Sequence, residues 1–164
     1  MENWIQWVVN ALIAFIGVIS GWNLKKYNNK ILQDKKTINK LDEYLPYKTI
    51  KFIHEHDFGG AYRIEHIQNI EIFLENAKNP EFFFLDKKLE NLKIKLIKLL
   101  YEFVHLLAGN SNPTNDSYEI FKIRSINEWD KKSDWYLIVK QIHDYADKIY
   151  ENYSQIKKIS KKQV

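Results

Sequence analysis

At 164 residues, 45% hydrophobic, with a formal net charge of only +4 at pH 7, the chain suits one packed core and lacks the basic excess of a nucleic-acid-binding module. It has no cysteine, which excludes disulfides and thiolate zinc sites. It also has no glycine-rich phosphate loop, GxSxG elbow or HExxH pair, so neither a catalytic centre nor a cofactor is expected.

The first predicted element is a membrane span. From Asn3 to Leu24 no residue is charged, and Lys25 and Lys26 follow at once. A helix of that length covers roughly 33 Å, enough for a hydrocarbon core about 30 Å thick. A cleaved signal sequence would begin with basic residues and end in small ones. Here Met1 and Glu2 lead in, and Trp22 stands near the exit. Trp4 and Trp7 near one end, and Trp22 and Tyr27 near the other, fit two interfacial belts. Lys25, Lys26 and Lys30 all follow the span, so the N-terminus is expected outside and the C-terminal domain in the cytoplasm. The basic residues are nearly all Lys, with Arg63 and Arg124 as exceptions, a usage that matches an AT-rich bacterial genome. The inner (cell) membrane of a bacterium is the expected location, with residues 1–24 as span, 25–46 as a juxtamembrane stalk helix and 47–164 as a cytosolic helical domain.

The stalk repeats apolar residues at Leu24, Tyr27, Ile31, Ile38, Leu41 and Leu45 and ends near Pro46. Pro46 suits the first residue of a short helix through Ile50 and Ile53, before a break at Asp57, Phe58, Gly59 and Gly60. A helix from Tyr62 to Ala77 follows, stopped by Asn79 and Pro80. The run from Phe82 to Leu85 is expected to plug the core. Asp86 then caps a long helix to Ala108, with Gly109 placed to end it. After a polar loop, 118–124 reads as a short strand or an extended pass, and Ser133 or Asp134 starts the last helix. The expected fold is all-α: one transmembrane helix continuing into a stalk, then a small helical bundle.

Within the span, Asn10, Ala14, Gly17 and Gly21 fall along one side of a helix. Small residues allow close backbone approach, and Asn10 offers a hydrogen bond where lipid has none. Leu24, Ile31, Ile38 and Leu45 continue the seven-residue phase of Asn3, Asn10 and Gly17, as a left-handed coiled coil requires. One helix of about forty residues that forms a homo-oligomer is therefore expected. Asp34 is the one poor seam residue. Two lysine groups, Lys25 to Lys36 and Lys157 to Lys162, read as solvated helix ends or as contacts with anionic membrane lipid.

The densest set of ligand-type residues is His54, Glu55, His56 and Asp57. On a helix His54 and Asp57 share a face and His56 does not, so convergence needs partners such as Glu65 and His66. Glu128 and Trp129 form a second candidate, a carboxylate beside an aromatic ring. Helical ribonucleases pair an Arg with a His several residues later. Arg63 has His66 only three residues on, and Arg124 has none nearby.

His56-Asp57-Phe58-Gly59, then Phe84-Leu85-Asp86 with Leu89-Glu90, then Asn127-Glu128-Trp129, resembles a spacing found in bacterial single-span proteins with a cytosolic helical domain. Some of these are effectors of defence or toxin systems. The resemblance implies a non-enzymatic effector whose domain binds a partner protein or signal. The alternative is a membrane-tethered enzyme or small-ligand sensor using the His54 to Asp57 region.

Overall fold

The computed structural model describes residues 3–114, 117–123 and 134–162, with side chains described at Trp22 and from Leu24 onward, except at 117–120. The elements in order are α1 (Asn3–Tyr44), α2 (Tyr47–Glu55), β1 (Tyr62–Arg63), α3 (Glu65–Asn76), α4 (Lys87–Asn110), β2 (Ser111–Thr114), β3 (Ser117–Ile123) and α5 (Asp134–Ser160). The fold is mainly helical. Its departure from the expected all-α class is one small antiparallel sheet in the order β1-β3-β2. Among the described residues no helix is long and apolar enough to cross a membrane. Within the expected span only the side chains of Trp22 and Leu24 are among them; those of Asn10, Ala14, Gly17 and Gly21 lie outside.

Helix α1 runs unbroken for 42 residues, past the charge boundary at Lys25 and on to Tyr44. Its last turns enter the core, where Leu41 and Leu45 are fully buried with Ile38 and Tyr44 packed beside them. At the lower end of the expected seam, Leu45 and its companion Leu41 are thus taken up by the domain's own core. Leu24 and Tyr27 are exposed and Ile31 half-buried, so only the upper part of the stalk seam still faces outward. Asp34 is buried for a different reason: its carboxylate accepts the amides of Leu85 (2.6 Å) and Asp86 (3.2 Å).

Pro46 sits one place earlier than expected, as the residue before α2, with φ −59° and ψ 147°. Helix α3 also starts later than its apolar pattern suggests. Tyr62 and Arg63 are drawn off into β1, opposite Phe121 and Ile120, and the Tyr62 hydroxyl bonds Ser111 Oγ at 2.7 Å. Asp86 caps α4 as expected, accepting the amides of Lys88 and Leu89 at 2.9 and 3.2 Å. Gly109 does not end α4, and no glycine in the described chain takes a positive φ. The side chains of Asn110 and Ser111 instead bond the Leu106 and Leu107 carbonyls, closing the last turn before β2 begins.

The segment from Phe82 to Asp86 alternates, with Phe82 and Phe84 buried and Phe83 and Leu85 exposed. Polar groups hold it from both sides. From α1, Thr37 donates to the Phe83 carbonyl (2.7 Å) and Lys30 to the Asp86 carboxylate (2.9 Å). From α4, buried Lys93 donates to the Phe82 carbonyl, and Glu90 accepts the Phe84 amide (2.8 Å) while pairing with Lys93 (2.9 Å). The most extensive helix packing is α4 against α5, with α2 also lying on α5.

Candidate functional site

The His54 to Asp57 region ends α2 and enters the turn before β1, where it meets α5. His54 stacks on Tyr150 (centroids 4.1 Å apart) and places Nε2 3.5 Å from Asp147. Asp57 in turn stands 3.5 Å from His143 Nε2 and accepts the Gly59 amide at 2.9 Å. His143 and Asp147 lie one turn apart on α5, so two reciprocal His–carboxylate contacts clasp α2 and its following turn to that helix. Each becomes an ion pair only when its histidine is protonated. Glu65 and His66, the partners that convergence would have needed, do not pair with His54 or Asp57, whose partners come from α5, some ninety residues away.

His56 turns inward instead. Its ring stacks on Phe52 (4.7 Å), which carries His66 at 4.4 Å. At the centre is Phe58, fully buried, with the rings of Phe52, His56, Tyr62, Phe103 and His143 edge-on to it at 4.9 to 6.0 Å. Gly59 lies just beyond in a tight space, where a Cβ would come 3.1 Å from Asp57 Oδ1 and 3.4 Å from the Trp135 ring. The buried Nε2 of His56 and Nε1 of Trp135 find no hydrogen-bond partner.

This geometry separates the three candidate ligand residues: His54 to Asp147 on α5, Asp57 to His143 one turn earlier, His56 to the aromatic interior. Among the described residues no group of three His, Asp or Glu side chains stands close enough to hold a metal ion. Glu128 and Trp129 lie outside the described residues. The region reads physically as a junction between α2, the sheet and α5. Sequence reasoning missed its two α5 members, His143 and Asp147, although their four-residue spacing on one helix face was a usable signal.

Burial pushes the His56 imidazole below its ordinary value of 6.5, with nearby His66 and His143 adding to the effect and Asp57 opposing it. A base held neutral by the fold binds fewer protons than it does in the unfolded chain. Stability from this group is therefore intact above about pH 6.5 and falls as the pH drops from there toward the lowered folded value. His56→Phe is expected to remove this part of the acid-side loss, giving a flatter melting temperature between pH 7 and 5 than the parent chain shows. Parallel slopes in thermal denaturation would refute the assignment.

No family model, curated protein or solved structure matches this chain.

Proposed function

We propose that the chain is a single-pass protein of a bacterial cell membrane, with its N-terminus outside and its helical domain in the cytoplasm. The domain takes up a partner protein or signal, and the self-associating span responds as a membrane-perturbing effector, without catalysis. The observation that carries this reading is α1 itself. Its first half has no charge in the sequence, and where it leaves that stretch Trp22, Leu24 and Tyr27 are 67%, 63% and 59% exposed, with Lys25 and Lys26 among them. Bare aromatic and basic residues at one level of a helix suit a lipid headgroup layer. Transmission is supported by the lower half of the same helix, which enters the core at Leu41 and Leu45 and is bonded to the Phe82 to Asp86 segment. A helix with no break between these halves passes tilt or rotation from one to the other. The diverging His54, His56 and Asp57 favour no catalytic alternative.

Full-length protein is expected to stay with membranes through a carbonate wash, and its high-level expression to collapse the membrane potential read by a voltage-sensitive dye. Gly17→Leu combined with Gly21→Leu, at equal membrane abundance, should restore the potential and lower the yield of crosslinked oligomers. Release into the wash would sink the anchoring. A full potential despite abundant membrane-bound protein would sink the effector role.

A further inference from the structure

One lysine of the first group, Lys35, meets the second group in the structure. A cavity of about 200 Å³ between α1 and the end of α5 has Ile31 and Ile38 on one side and Lys35, Lys157 and Lys161 around it. It adjoins a wider cavity of about 650 Å³ lined by Asp42, Tyr47, Tyr153 and Lys158, and Lys157 and Lys161 line both. The two form one groove running down the α1–α5 junction.

Its electrostatics are one-sided. The Asp42 carboxylate is already engaged, receiving Lys157 Nζ at 2.6 and 2.8 Å and the Tyr153 hydroxyl at 3.1 Å. Burial, with Asp42 beside it, pushes the Tyr153 hydroxyl up, so it remains a donor. Asp34, the other acid on the groove, is held by the Leu85 and Asp86 amides. Lys35, Lys158 and Lys161 form no ion pair among the described residues, and they leave the rim net positive over an apolar wall.

We propose that this groove binds the phosphate headgroup of an anionic phospholipid, with the lysines on the phosphate and Ile31 and Ile38 against the glycerol and first acyl carbons. A wall that is apolar and a rim that is cationic match an amphiphile better than a free anion, which gains nothing from isoleucine. The position also fits. Ile31, at the near end of the groove, lies six residues beyond Lys25, roughly 9 Å along the helix and about one Debye length from the expected lipid boundary at physiological salt, while Ile38 lies roughly 20 Å from it. This step rests on the reading of α1 as a span only for the source of the lipid; the groove is a property of the folded domain.

The test uses the full chain, isoleucine-methyl labelled, in a zwitterionic detergent. Short-chain phosphatidylglycerol should shift the Ile31 and Ile38 methyl signals saturably and leave that of Ile70, deep in the core, unmoved. Lys158→Glu with Lys161→Glu, both at exposed positions, should weaken binding roughly tenfold or more while keeping the Ile70 signal of the folded parent. Equal shifts from phosphatidylcholine, equal affinity for inorganic phosphate alone, or equal binding by the double variant would each overturn the proposal. Carbonate extraction judges the span separately, so a protein that washes out yet binds phosphatidylglycerol loses its anchor and keeps its groove.

Discussion

Phe58→Ala is expected to cost about 3 to 5 kcal/mol of folding free energy, the range for deleting a fully buried aromatic side chain where the surroundings cannot collapse. Collapse is difficult here because the cluster is framed by rings from four separate places: Phe52 and His56 around α2, Tyr62 on β1, Phe103 on α4 and His143 on α5. Closing the hole would require several elements to shift together, and packed interiors resist that. With each kcal/mol lowering the melting temperature by about 2 to 4 °C in a chain of this size, the variant should melt roughly 6 to 20 °C below the parent. Phe58→Leu keeps most of the volume and loses the edge-on ring contacts, so it should fall between the two. A drop of only a degree or two for Phe58→Ala, read by circular dichroism, would mean that the turn carrying this residue is not a keystone.

Asp34→Ala is expected to have the second largest effect, about 2 to 4 kcal/mol. Asp34 is 3% exposed and its carboxylate accepts two backbone amides; one buried donor left unsatisfied costs about 1 to 3 kcal/mol, and the Asp86 amide, held at the longer 3.2 Å, adds the smaller share. Lys30→Ala is the instructive comparison. It deletes the 2.9 Å contact to Asp86 on the same segment, but the lysine side chain is 39% exposed, and such pairs contribute at most about 1 kcal/mol. Asp34→Asn retains an acceptor oxygen and should recover part of the loss. Hydrogen exchange adds a local readout, with the Leu85 and Asp86 amides of Asp34→Ala exchanging faster than those of the parent by more than the global destabilisation explains. Similar melting of Asp34→Ala and Lys30→Ala would show that burial of the carboxylate brings no particular dependence on it.

These two residues mark where sequence reading stopped. Patterns confined to one helix were legible: the Asp86 cap with the leucine stripe after it, the short helix after Pro46, and the last helix from Asp134. Features made by pairing distant segments were not. Phe58 sits between an aspartate and two glycines and reads as part of a break, yet it is the residue around which the elements assemble. Asp34 reads as a fault in an apolar seam because its partners, the Leu85 and Asp86 amides, are some fifty residues away. Of the sheet, only β3 was legible, as the short strand or extended pass at 118–124; its partners escaped because β1 has two residues and β2 four, too short for an alternating pattern to stand out. Gly109 misled because side chains at Asn110 and Ser111 close the helix end without a left-handed residue. The candidate site followed the same rule: His54 and Asp57 could be picked out by type, but their partners on α5 needed the fold.

The small sheet has one more consequence, for its behaviour toward other chains. In the order β1-β3-β2 the longest strand is interior, and both rims are poor templates. One rim is only Tyr62 and Arg63; the other carries Pro113, which has no amide hydrogen, followed by a register shift at Thr114. A foreign strand arriving at either edge finds too short a run of unpaired amides and carbonyls to extend. The sheet is therefore protected against runaway strand addition, a protection that would matter most under the self-association proposed above.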